Sequence, residues 1–163
     1  MKGYVEKMIS EYPQMVRERD SLRKQLESCE FLSADELINA MSFSHPEGER
    51  VQSSNISDKT TKVAMEYQER LDKINSELIG PMQKRYDALD EEITFFEESV
   101  RGLPDNMADI MIALFLEGVT WDNLEVDFLM NRRTISDYRK NAISCLVRMY
   151  QRRAAIIEMN ILS

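Results

Sequence analysis

Three observations predict an all-α chain. Gly (5) and Pro (4) are scarce among the 163 residues, so few turns are encoded. Glu, Lys, Leu, Arg and Met are plentiful, and all are good helix formers. Apolar residues recur at steps of three and four, the period of a helix and not of a strand. With 43% hydrophobic and 31% charged residues, the chain belongs with globular or long-helix proteins and not with disordered ones. The expected architecture is a long helical, coiled-coil-rich N-terminal part followed by a small C-terminal helix-turn-helix domain. Five to seven helices are expected, the longest within 57–101.

The first stripe is Val5, Ile9, Tyr12, Val16, Leu22, Leu26 and Cys29. Its narrowness, and the dense charge of "RERDSLRKQLE", read as a coiled-coil exterior around one apolar seam. Pro13 falls inside it and predicts a kink or restart, since proline removes a hydrogen bond and clashes one turn back. Ser33-Ala34-Asp35-Glu36 reads as a capping box that opens a short helix to about Met41. Residues 1–41 therefore form the N-terminal helices. The segment "SFSHPEGERVQSSNISDKT" breaks all periodicity, which makes 42–56 a polar loop.

Ser57 or Asp58 can cap the next helix. Its stripe is Val63, Tyr67, Leu71, Ile74, Leu78, Met82, Tyr86, Leu89, Ile93, Phe96 and Val100. The stripe keeps its phase across Gly80-Pro81, which favours one kinked helix over 57–101. A helix with so narrow a seam cannot bury it alone, so it needs the first helix, a second copy of itself, or both. Gly102-Leu103-Pro104 joins a helix-ending glycine to a proline and marks the best domain boundary, with 104–163 as the second domain. There, Met107 to Glu117 reads as a short apolar helix ending at Gly118, followed by helices over about 121–129 and 133–157.

Several function classes are excluded by composition. No stretch approaches 18 apolar residues, so no membrane span is expected. "MKGYVEKMISEYP" lacks the apolar region of a signal peptide. Cys29 and Cys145 lack motif spacing and read as helix-face thiols, consistent with a reduced cytoplasmic setting. One histidine, His45, in a polar loop makes a zinc site improbable, and no metal or cofactor is expected. The carboxylates of "ALDEEITFFEESV" ring a solvated face. Without a phosphate-binding loop, or a nucleophile beside a base, the chain reads as a non-enzyme.

Charge is unevenly distributed. Net charge is −8, and residues 1–100 hold 13 basic against 21 acidic residues. Residues 131–153 hold seven basic residues and one acidic, Asp137. Any phosphate contact therefore falls to one small end of the molecule. That end lies in "TWDNLEVDFLMNRRTISDYRKNAISCL", residues 120–146. As a helix-turn-helix, Thr120 caps the first helix and Trp121, Leu124 and Phe128 form its inner face. Met130 plugs the turn, and Asn131 caps the second helix. Ile135, Tyr138, Ala142 and Leu146 face inward, leaving Arg132, Arg133, Ser136, Asp137, Arg139 and Lys140 facing outward. Side chains at the start of the second helix meet base edges in this motif, and flanking basic residues hold phosphates. The candidate DNA-binding set is Asn131, Arg132, Arg133, Thr134, Ser136, Asp137, Arg139 and Lys140. A basic cluster alone could be a solvated helix face; its combination with a capped turn places DNA binding ahead.

This stretch resembles region 4 of sigma-70-type factors, which reads the promoter −35 element. It matches without a gap through Thr120, Asp122, Leu124, Phe128, Met130, Arg132, Ile135, Lys140, Ala142 and Leu146. The remainder, including "GERVQSSNISDKTTKVAMEY" before the long helix, is similar to RinA- and ArpU-type late-gene activators of phages and mobile elements of Gram-positive bacteria. The resemblance implies a phage- or prophage-derived transcription regulator acting on double-stranded DNA. Its coiled coil would form a homodimer or engage RNA polymerase. The resemblance places the contacting positions on Arg132, Arg133, Ser136 and Asp137, of which only Arg132 keeps the usual residue type, so a different DNA sequence is implied. Leu129 stands where glycine is frequent in the turn. Nothing in residues 1–100 resembles the promoter-melting region 2. Two other readings are a small-terminase-like DNA-packaging component and a coiled-coil protein-interaction adaptor. The domain order favours the regulator over the packaging component.

Overall fold

A computed structural model describes residues 1–30, 65, 69, 72–73 and 75–161. Among the described residues the chain is helical, with no strand. The described residues hold five bounded α-helices: α1 (Lys2–Glu30), α2 (Gly80–Arg101), α3 (Asp105–Met111), α4 (Trp121–Asp127) and α5 (Arg132–Ile161). A π-helical turn, Asn75–Ile79, leads into α2, and a second, Ile112–Leu116, extends α3. The capping box at Ser33, the loop over 42–56, and Leu71 and Ile74 of the long stripe lie outside the described residues.

The longest helix bounded within the described residues is α5, with 30 residues. Helical structure runs without a break over 75–101, and most of 57–74, where the expected longest helix begins, lies outside the described residues. No helix among the described residues is long and apolar enough to cross a membrane. α1 runs through Pro13 as one helix, so the restart is not seen. At Gly80-Pro81 helical structure is continuous from the π-turn into α2. A π-turn shifts the hydrogen-bond register by one residue, and Pro81, which lacks an N–H, falls in the first turn of the α-helix that follows, where proline is tolerated.

The chain divides into two compact units: residues 1–18 with 89–163, and residues 19–88. In the second unit the surface of α1 is laced by exposed pairs one helical turn apart, such as Arg23 with Asp20 and with Glu27. Such pairs contribute a few tenths of a kcal/mol each.

The first unit holds the core that positions the candidate site. From α2 it takes Leu89, Ile93, Phe96 and Val100, all 3% exposed or less. Their 4-3-4 spacing is the lower half of the expected stripe, and the first turns of α1 cover it. Val5, Met8 and Tyr12 are the buried residues there, so Met8 and not Ile9 carries the seam. The Tyr12 ring lies 5.3 Å from Phe96, and its hydroxyl donates to Glu97 at 2.8 Å.

The expected domain boundary at Gly102-Leu103-Pro104 is a turn inside this unit. Gly102 N–H donates to the Glu98 carbonyl at 2.8 Å, and Leu103 is buried. α3 has seven residues and its extension five, too few to build a core alone. Ile110, Met111 and Phe115 are buried, as are Leu124, Ile135 and Leu146 of the same unit, and α3 packs on α5.

Candidate nucleic-acid interface

α4 and α5 pack on each other, and α4 also packs on the π-turn that ends α3. Local chemistry sets both ends of α4. Thr120 has extended backbone, and its hydroxyl accepts from Asn123 N–H at 3.4 Å. At the other end the chain reverses through residues 128–131. Met130 N–H reaches the Glu125 carbonyl at 3.2 Å, and Leu129 N–H reaches Val126 at 3.4 Å. These bonds, five and three residues back, are the Schellman termination, which needs a left-handed residue between them.

Leu129 supplies that residue, with φ 51°. The turn therefore does use the positive φ that glycine would adopt freely, and leucine carries it. Its side chain is 91% exposed, so no burial offsets the strain. The turn before α4 solves the same problem with Gly118 at φ 71°, which lets Val119 N–H reach the Ala113 carbonyl at 2.9 Å.

Asn131 caps α5. Its Oδ1 accepts from Thr134 N–H at 2.9 Å and from the Thr134 hydroxyl at 3.0 Å. Both residues of the candidate set thus build the start of the helix. Ile135, Ala142 and Leu146 are buried as expected, and Ile143 joins them. Tyr138 is only half-buried. On the opposite face Arg132, Arg133, Asp137 and Lys140 are exposed, with Ser136 half-buried beside them. Arg139 departs from the expected outward position. One helical turn beyond Ile135 and before Ile143, it lies on the flank of the buried face and is half-buried.

The arginines oppose the helix's own field. A helix N-terminus carries partial positive charge and favours acidic neighbours. The first turn of α5 has no acidic residue and opens with Arg132-Arg133. Only weak contacts offset this. Arg132 Nη1 lies 3.6 Å from Asp122 Oδ1, and its guanidinium sits 5.9 Å from the centre of the Trp121 ring. Trp121 is half-exposed and supports Arg132, whereas the sequence placed it on the buried face with Leu124 and Phe128. Lys140 Nζ meets Asp137 Oδ1 at 3.4 Å, both well exposed. Exposed pairs of this kind contribute about 0–1 kcal/mol.

The basic cluster is not one surface. Arg153, counted with it in the sequence, lies about 31 Å along α5 from Arg132 at 1.5 Å per residue. It donates to Glu91 at 2.6 Å and to Glu92 at 2.7 Å, and stacks 4.4 Å over Phe95. Tyr4 joins from α1, with its hydroxyl on Glu92 at 2.8 Å and its ring 5.5 Å from Tyr150. Burial, aided by the hydrogen bond to Glu92, pushes the Tyr4 hydroxyl up to about 12. Burial and the Glu92 charge raise Tyr150 in the same direction. Sequence reasoning missed this lock because its partners, 61 and 88 residues apart, leave no local pattern.

Among the described residues, no group of three or more His, Cys, Asp or Glu side chains could hold a metal ion. No family model, curated protein or solved structure matches the chain.

Proposed function

We propose that this chain is a sequence-specific double-stranded-DNA-binding transcription regulator, a promoter or operator reader of the kind that phages and mobile elements carry, without a promoter-melting region. The observation that carries the reading is the start of α5. Two exposed arginines stand at a helix N-terminus that has no acidic residue in its first turn, held by an asparagine cap behind a four-residue turn from α4. For the free protein that arrangement is electrostatically unfavourable, and a polyanion would relieve it.

In this reading Arg132 and Arg133 reach base edges in the major groove, with Ser136 and Asp137 one turn further on. Asn131 and Thr134 fix the helix start, and Lys140 and Arg139 flank it toward the phosphates. Asp137 accepts and does not donate, which suits the exocyclic amine of cytosine. The acidic remainder of the chain repels phosphate, so non-specific binding should be weak and binding should fall steeply with salt.

Selection of bound duplexes from a random pool with the purified protein tests the proposal. A single enriched motif, lost on Arg132→Ala, is the expected result. Recovery of no motif, together with no mobility shift at low salt, overturns it and favours a protein-interaction adaptor.

A further inference from the structure

Beyond the lock at Arg153, α5 continues for two turns, to Ile161. Ile156, Ile157 and Ile161 in this extension are 58%, 47% and 77% exposed. A two-turn helix end that presents aliphatic side chains to water is not self-supporting. It also forms one wall of an open groove of about 460 Å³ against α2. Phe95 and Met149 line the groove with Ile156 and Ile157, and Glu98 and Arg152 stand at its rim.

We propose that this groove is the seam of a two-fold dimer of the chain, in which the end of α5 of each copy lies in the groove of the other. The charges argue for a second copy as the occupant. The α2 wall carries an exposed carboxylate, Glu98, and the α5 wall an exposed guanidinium, Arg152. No ion pair joins these two across the groove, whereas Arg153 beside them is already spent on Glu91 and Glu92. A partner of a single charge sign satisfies only one wall. A copy related by a two-fold axis satisfies both, because Arg152 of each chain then meets Glu98 of the other. The apolar floor and the carboxylates on the rim make the face unsuitable for DNA. The stripe from Leu89 to Val100 is already covered by the first turns of α1, so this groove is an open apolar surface separate from that part of the seam. The proposal does not depend on the DNA-binding reading.

Charge reversal tests it with a built-in control for folding. Light scattering of the intact protein should give twice the chain mass. Arg152→Glu and Glu98→Arg should each run at the mass of one chain, with unchanged helicity and melting temperature, since both sites are exposed. Mixing the two variants should restore the doubled mass, because every crossed pair is again opposite in sign. A monomeric wild type, single variants that keep the wild-type mass, or a mixture that stays monomeric would each overturn the proposal.

Discussion

The two ends of α5 carry the same residue type in opposite circumstances. The side chain of Arg132, at the start, is 63% exposed and meets its nearest carboxylate at 3.6 Å. That of Arg153, near the end, is 20% exposed and is held by two carboxylates at 2.6 and 2.7 Å. Partial desolvation makes the second set of contacts strong and geometrically fixed, while solvent screens the first to near nothing. An arginine at one end of the helix is structure, and at the other it is available to a partner.

The largest expected effect comes from breaking the buried end. Arg153→Ala should lower stability by about 2–3 kcal/mol, because the partly buried Glu92 loses its cation and is left with the Tyr4 hydroxyl, and the stacking on Phe95 is lost. Denaturant unfolding checks this. A loss under about 1 kcal/mol would mean that the two ends of the helix are energetically alike.

The exposed end should respond in the opposite way. Arg132→Ala should leave the unfolding midpoint within about 0.5 kcal/mol and weaken specific DNA binding by about 1–3 kcal/mol, with relaxed preference at one base pair. Lys140→Ala should weaken binding to all sequences alike and reduce the salt dependence by about one counterion. Equal effects of the two substitutions on specific and non-specific DNA would remove the distinction between base and phosphate contact.

A smaller effect is expected between α4 and α5. Leu129→Gly removes a left-handed leucine whose side chain packs on nothing, and should stabilise the protein by about 1 kcal/mol. Gly118→Ala, in the matching turn before α4, should destabilise by a similar amount. If both glycines prove neutral, neither turn stores backbone strain.

The smallest effect is a pH dependence confined to the lock. Tyr4 titrates near 12 in the folded chain and near about 10 when unfolded. The unfolded state therefore loses its proton first. The contribution is complete below about pH 10 and disappears as pH rises through about 12. Tyr4→Phe should lower stability at neutral pH, where the hydroxyl's bond to Glu92 is lost, and flatten the alkaline limb of the stability curve between these values. Arg132→Ala should leave that limb as it is.

What could be read in advance follows the range of the interactions. Thr120 and Asn131 were legible as caps because a cap joins residues three apart, and Ile135, Ala142 and Leu146 because a buried face repeats every turn. The exposed Arg132, Arg133 and Lys140 followed from being off that face. Leu129 showed where the turn lies but not how it closes, since its left-handed backbone is imposed by the two helices it joins. Arg153 could not be separated from the cluster, because only the partners brought by α2 and α1 distinguish it.

The sequence by itself determined the helical class, the ends of α4, the start of α5 and the excess of positive charge near it, all consequences of periodicity and contacts within one turn. The tertiary structure alone decided that the first turns of α1 cover Leu89 to Val100, that Gly102 to Pro104 turns inside one compact unit, and which arginines remain available. Those depend on segments up to 88 residues apart meeting in one core. There, burial and not residue type sets the strength of each charge.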